Sequence, residues 1–236
     1  KRQVQCPGLK VPWYAVQGNH DNCFIGAFPD SPIVNQFYVG AKKLMNLDLD
    51  DLLGNTYPEL DKDTNPLADI ITGKKEFLTT VTPDKRRAPF TVTEYVNEHF
   101  KPENLGPGPR GHGFTGTNTR PYYLFEMVPG VAGIVLDTNK PDGGPDGWLG
   151  GRQMAWLEQQ LKRLNSRYFD TDGTLHRTGV KDKLVFLFTH HPSTNINSRG
   201  KATPRDGEDC PSSHSAAEIV TLLPVSYTHL TLPTTP

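Results

Sequence analysis

The sequence predicts an α/β protein, and three observations carry that expectation. Residues 184–188, Leu184-Val185-Phe186-Leu187-Phe188, form an unbroken apolar run, the pattern of a strand buried on both faces. Residues 122–128 and 131–136 are strand-like and flank the turn signal Pro129-Gly130, so they read as a hairpin. Met154, Leu157, Leu161 and Leu164 are spaced by three, four and three residues, which puts them on one face of a helix. Strands that alternate with helices and hairpins pack as layers around a common core.

The remaining elements follow in order. Residues 11–17 read as a short apolar strand running into Gly18. Residues 30–120 form a loop-rich insertion, with helical stretches expected near 34–46 and 91–100 among Pro and Gly clusters such as Gly106-Pro107-Gly108-Pro109. Residues 139–147 are a Gly/Pro/Asp loop that leads into the amphipathic helix, and a last helix is expected over 215–223. There are no internal repeats.

Composition narrows the function classes. Hydrophobic residues make up 35% of the 236, while Gly (22) and Pro (21) are abundant, which suits a globular domain with long ordered loops. The 25 basic and 26 acidic residues leave a formal net charge of −1, so there is no basic field for nucleic acid or an anionic membrane surface. No run approaches the roughly 18 apolar residues of a membrane span, and no signal peptide is visible. Cys6, Cys23 and Cys210 lack metal-ligand spacing. Cys6 and Cys23 suit one disulfide in an exported protein, and all three equally suit unpaired thiols, so the compartment stays open.

The two ends read as foreign. Val225 through Thr234 is what a transposase sequencing adapter, GTC TCT TAT ACA CAT CTG ACG CTG CCG ACG, would encode, and Lys1-Arg2-Gln3 matches the same element read from the other strand. Residues 1–3 and 225–236 are therefore set aside, and residues 4–224 are expected to be an internal piece of a longer domain.

Two polar clusters sit at strand ends, where α/β proteins place ligands. Gly18-Asn19-His20-Asp21 follows the first strand. Gly permits a tight turn, and the Asn carbonyl is a neutral oxygen ligand for a hard or borderline metal. The His can donate a proton to a phosphoryl oxygen or leaving group, and the Asp can orient that imidazole. The same tetrapeptide also suits a polar turn in which Asn19 and Asp21 bond local backbone. Thr189-His190-His191-Pro192 follows the apolar run, and its adjacent histidines must point in different directions.

Together these segments resemble the calcineurin-like metallophosphoesterase superfamily, whose third and fourth blocks are Gly-Asn-His-Asp/Glu and a His in a His-His-Pro context. The two lie in that order, about 170 residues apart. Gly147-Trp148-Leu149, Gln153, Trp156-Leu157 and Leu161 resemble the helix common between those blocks, and Leu136-Asp137-Thr138 its neighbouring strand end. With Gly111-His112-Gly113-Phe114-Thr115, the pattern looks closest to a bacterial branch best known from actinobacteria. The resemblance implies a four-layer α-β-β-α sandwich, incomplete at both ends, and hydrolysis of phosphate mono- or diesters assisted by two metal ions from among Fe, Mn and Zn. It makes Asn19 and His190 metal ligands, with His191 a secondary candidate, His20 the group acting on the substrate phosphate, and Asp21 its orienting carboxylate. The family's Asp-x-His, Gly-Asp and Gly-His-x-His blocks are missing from the chain, so the resemblance implies a fragment with little activity, whose parent acts on a small phosphate ester.

Other residues weigh less. His112 sits in a Gly-rich loop that could overhang the site, Asp137 reads as a turn or cap residue, and His99 and His214 read as helix or loop surface. Arg110 and Arg152 suit phosphate binding no better than other arginines. The 142–146 Asp/Gly run lacks the spacing and terminal Glu of a calcium loop. Two other classes stay in view: a non-catalytic binding domain that keeps the sandwich, and a cysteine hydrolase using Cys23 near His20.

Overall fold

A computed structural model describes residues 7–24, 26–29, 31–45, 78–116, 120–170, 172–196 and 213–222. Both ends read as foreign, Cys6, Cys210 and the whole stretch 46–77 thus lie outside the described residues. The chain divides into two compact units, one of residues 1–27 with 90–236 and the other of residues 28–89.

The larger unit begins with an extended segment and the single helical turn α1 (Asn19–Asn22). The expected strand over 11–17 joins no ladder among the described residues. Its polar groups are met otherwise: Ala15 N–H donates to the His112 carbonyl at 2.9 Å, the Tyr123 hydroxyl donates to the Ala15 carbonyl at 2.7 Å, and Asn139 Nδ2 donates to the Gln17 carbonyl at 3.1 Å. Loop and side-chain partners satisfy what a neighbouring strand would have satisfied.

The smaller unit holds α2 (Pro32–Val39), β1 (Lys42–Leu44) and β2 (Leu78–Thr80). Ser31 Oγ accepts from Val34 N–H at 3.2 Å and Pro32 occupies the first turn, so the helix starts two residues before the expected 34. It stops at Gly40, six residues short of the expected end, because residues 42–44 pair antiparallel with 78–80 instead. Arg87 Nε and Nη2 bond the Tyr38 and Gly40 carbonyls at 2.7 and 3.0 Å, closing that helix end.

The larger unit resumes with α3 (Val92–Glu98), started by a Thr91–Glu94 capping box. The hairpin follows as β3 (Tyr123–Val128) and β4 (Val131–Val135), antiparallel across the Pro129-Gly130 turn. Next come β5 (Leu149–Gly150), α4 (Gly151–Leu164), and a hairpin absent from the expectations, β6 (Arg167–Phe169) with β7 (Leu175–Arg177). The strand β8 (Leu184–Phe188) pairs parallel with β4, Val131 opposite Leu184 through Val135 opposite Phe188. Last are β9 (Ser213–His214), antiparallel to β5, and α5 (Ala216–Leu222). The unit is mixed α/β, with small sheets and few helices, and no described helix is long and apolar enough to cross a membrane.

Both faces of the three-stranded sheet β3-β4-β8 are used. Ala132, Ile134, Val185 and Leu187 face Met154, Leu157, Leu161 and Leu164 of α4, with Leu149 and Ile219 completing that core. Val135 and Phe188 turn to the other face, against Val96, Tyr95, Phe114, Tyr123 and Phe125. The apolar run in β8 is nevertheless not buried on both faces. Leu184 is 57% and Phe186 46% exposed. Among the described residues β8 is a sheet edge, and the aromatic layer covers its second face only as far as Phe188.

Two histidines read as surface or overhanging residues belong to this aromatic layer. His112 is fully buried, with φ +48°, and stacks on Trp13 at 3.6 Å between ring centroids. His99 faces it, Nδ1 to Nδ1 at 3.0 Å. Burial, and secondly the neighbouring His112, push the His99 imidazole down to about 4, against smaller opposing effects of Asp21 and Glu98. An unfolded His titrates near 6.5, so between the two values the unfolded chain binds more protons than the folded one. The stability contributed by neutral His99 is therefore present above about pH 6.5 and lost as pH falls toward 4. His99→Gln, which keeps a donor for His112 but does not titrate, is expected to flatten the fall in urea stability between pH 7 and pH 4.5. Identical slopes for the two proteins would contradict this assignment.

Candidate functional site

The site grows from the parallel register of β4 and β8. With Val135 opposite Phe188 and Leu136 N–H donating to the Phe188 carbonyl at 2.9 Å, the strands end together. The segments 137–139 and 189–191 leave side by side. Gln153, in the first turn of α4, grips the first segment twice: Asp137 N–H donates to Oε1 at 2.8 Å and Nε2 donates to the Asp137 carbonyl at 2.7 Å. Asp137 itself closes an Asx turn, its Oδ1 accepting from Asn139 N–H at 3.0 Å and Asn139 Nδ2 at 2.8 Å, as its reading as a turn residue expects.

The adjacent histidines do diverge, with rings 4.9 Å apart and nearly perpendicular. His191 turns inward, buried, its Nδ1 2.8 Å from Thr138 Oγ1. Burial and then His190 hold its imidazole below the ordinary histidine value. His190 turns outward and places Nε2 2.9 Å from Asn19 Oδ1, joining residues 171 positions apart. A carboxamide oxygen only accepts, so His190 Nε2 carries the proton in this contact.

Asn19 is held for that encounter. It is 8% exposed, and its Nδ2 donates to the Gly26 carbonyl at 2.8 Å, which turns Oδ1 toward His190. Gly26 was not singled out by sequence reading, yet it is the most constrained residue here. Its φ is +75°, and a Cβ on it would lie 2.4 Å from His20 Nε2 and 2.7 Å from Asn19 Nδ2. A glycine a few residues beyond Gly18 in a short loop was the available signal, indistinguishable from an ordinary turn glycine. Gly18 differs from its expected role. Its φ of −108° is extended backbone open to any residue. What excludes a side chain is the His190 ring, 2.8 Å from where a Cβ would stand.

His20 is exposed, with its ring over Gly26. Asp21 is placed near it in sequence, but its Oδ2 accepts from Gly18 N–H at 2.8 Å, capping α1. The local turn and the motif geometry thus coexist. Cys23 is buried, at 4% exposed. His214 lies in β9 with Nδ1 3.1 Å from Glu218 Oε1, remote in role from these groups.

For a metal, the fit rests on Asn19 and His190. Ligand bonds of about 2.1 Å meeting at a right angle put their two donor atoms roughly 3.0 Å apart. Asn19 Oδ1 and His190 Nε2 stand at 2.9 Å, one edge of such a polyhedron. Among the described residues no three His, Cys, Asp or Glu side chains gather as a cage.

The constraint on Gly26 is testable against Gly130, whose φ of +85° costs the same backbone strain but whose Cβ would meet nothing within 4 Å. Both alanine variants carry the left-handed penalty of about 1 kcal/mol, and Gly26→Ala adds overpacking of about 1–3 kcal/mol. Thermal melts are expected to rank Gly26→Ala below Gly130→Ala; equal losses would show that the contacts to Asn19 and His20 do not matter. No protein-family model matches the chain, and no curated protein or solved structure matches it.

Proposed function

We propose that this chain carries part of the active centre of a metal-dependent phosphoesterase of the calcineurin-like type, acting on a small phosphate mono- or diester. The observation that supports the reading is the approach of Asn19 Oδ1 and His190 Nε2 to 2.9 Å at two strand ends. These are the two residues that the motif resemblance makes ligands of one ion, and the contact spans 171 positions. In this reading the three-stranded sheet between α4 and the aromatic layer belongs to a larger four-layer sandwich.

Asn19 and His190 would hold one ion, His190 giving up the Nε2 proton that now rests against Asn19. Two such ions, from among Fe, Mn and Zn, would neutralise the charge on a phosphoryl group and activate water toward it. Gly26 fixes the Asn19 amide in its ligating orientation, and Gly18 leaves room for the His190 ring. His20, exposed beside them, donates a proton to the departing alkoxide. Asp21 keeps one oxygen on Gly18 N–H, so its part is to hold the turn that presents His20. His191, its Nδ1 bonded to Thr138 and its buried Nε2 without a hydrogen-bond partner among the described residues, stays the secondary candidate ligand.

Calorimetric titration of the 236-residue chain with Mn²⁺ or Zn²⁺ tests the ligands. Asn19→Ala and His190→Ala are expected to weaken binding about tenfold or more, a range typical of lost metal contacts, while His214→Ala binds as the parent does. Unchanged affinity in the first two would remove both residues from the metal site. Activity is a separate test. With two ligands supplied among the described residues, the chain is expected to hydrolyse p-nitrophenyl phosphate only feebly. Turnover on the usual enzymatic scale of about 1–1,000 s⁻¹ would overturn the incomplete-centre reading.

A further inference from the structure

A cavity of about 480 Å³ is lined by Leu9, Trp13, Glu98, His99, Glu103 and Asn104. Its chemistry follows from hydrogen-bond accounting. His112 Nε2 is 2.8 Å from the Leu105 carbonyl, which only accepts, so that nitrogen carries a proton. In its neutral form, with the one proton on Nε2, His112 presents Nδ1 as an acceptor. The facing His99 Nδ1, 3.0 Å away, must then be the donor. His99 is left with a bare lone pair on Nε2, and it stays neutral near pH 7 because burial and His112 lower it to about 4.

Glu98, Glu103 and Asn104 bring acceptor oxygens to the cavity wall, while the Trp13 indole contributes an N–H donor. Glu98 is occupied by Lys101 and by Asn104 Nδ2, which also bonds the Glu98 carbonyl at 3.0 Å. Asn104 therefore has its oxygen to offer. The Glu103 carboxylate is exposed and makes no ion pair among the described residues. Trp13 gives an aromatic surface, steadied by its stack on His112. A lone pair, a carboxylate whose charge Lys101 only partly offsets, and an indole in one cavity suit a ligand that brings donors and positive charge.

We propose that this cavity binds an organic ammonium group, which donates to His99 Nε2 and to Glu103 and lies against Trp13. The site is independent of the phosphoesterase reading. The test uses putrescine as the probe, with 1,4-butanediol as its uncharged analogue, followed by tryptophan fluorescence and by the imidazole ¹⁵N signals. Putrescine is expected to bind saturably, to shift the His99 Nε2 resonance, and to bind about three- to fivefold more weakly to Glu103→Gln. Because Glu103 is exposed, that variant keeps the fold, which a circular dichroism spectrum checks. Absence of saturation at 10 mM putrescine (roughly the weakest affinity worth calling a site), equal binding of the diol, or an unmoved His99 signal would each overturn the proposal.

Discussion

The parallel pairing of β4 with β8 is the constraint on which the larger unit depends. Parallel strands need a crossover, and here it contains α4, whose Met154, Leu157, Leu161 and Leu164 lie over Ala132, Ile134, Val185 and Leu187. Burying that face holds the register, because a slip of one residue would turn the apolar set away from the helix. The same register aligns the strand ends, so Thr138 meets His191 and Asn139 reaches back to Gln17. Packing on one side of the sheet thus sets distances at its end.

From that alignment the candidate site is assembled mostly by neutral groups. Gln153 pairs with the Asp137 main chain, Asn139 ties two segments together, and the Gly26 carbonyl orients Asn19. Such bonds contribute only about 1 kcal/mol each, but they are directional, and direction is what a ligand atom needs. Two glycines serve the same end through absence of side chain. Gly18 admits the His190 ring, and Gly26 admits His20 while accepting from Asn19. The aromatic layer on the opposite face works differently. There His112, Trp13 and His99 exchange stacking and one shared hydrogen bond, and the fully buried His112 accepts a left-handed backbone to take part.

Particular elements show where sequence patterns were sufficient. The 154-157-161-164 spacing led directly to α4, and the Pro129-Gly130 signal to the β3–β4 hairpin, since each depends on contacts a few residues apart. Patterns failed where the environment was non-local. The apolar run of β8 reads as doubly buried, but the aromatic layer ends at Phe188 and leaves Phe186 exposed. Residues 11–17 are extended yet find loop backbone and side chains rather than a strand, and the helix over 32–39 ends where 42–44 meet 78–80. The β6–β7 hairpin went unread because its strands are three residues each, too short for alternation to register.

The sequence by itself determined the local chemistry: which residues can ligate, donate or turn, and that Gly18-Asn19-His20-Asp21 and His190-His191-Pro192 belong at the ends of apolar segments. It also established that adjacent histidines must diverge, a consequence of backbone geometry alone. The tertiary structure decided which of the pair faces Asn19, that Asp21 caps Gly18, and that Gly26 packs against both Asn19 and His20. It likewise buried His112, which reads as an overhanging loop residue, and set the half-buried His99 against it. The reason is range. Side-chain type and spacing act within a few residues, whereas a 2.9 Å approach between positions 19 and 190 depends on strand register and on a helix packed between them.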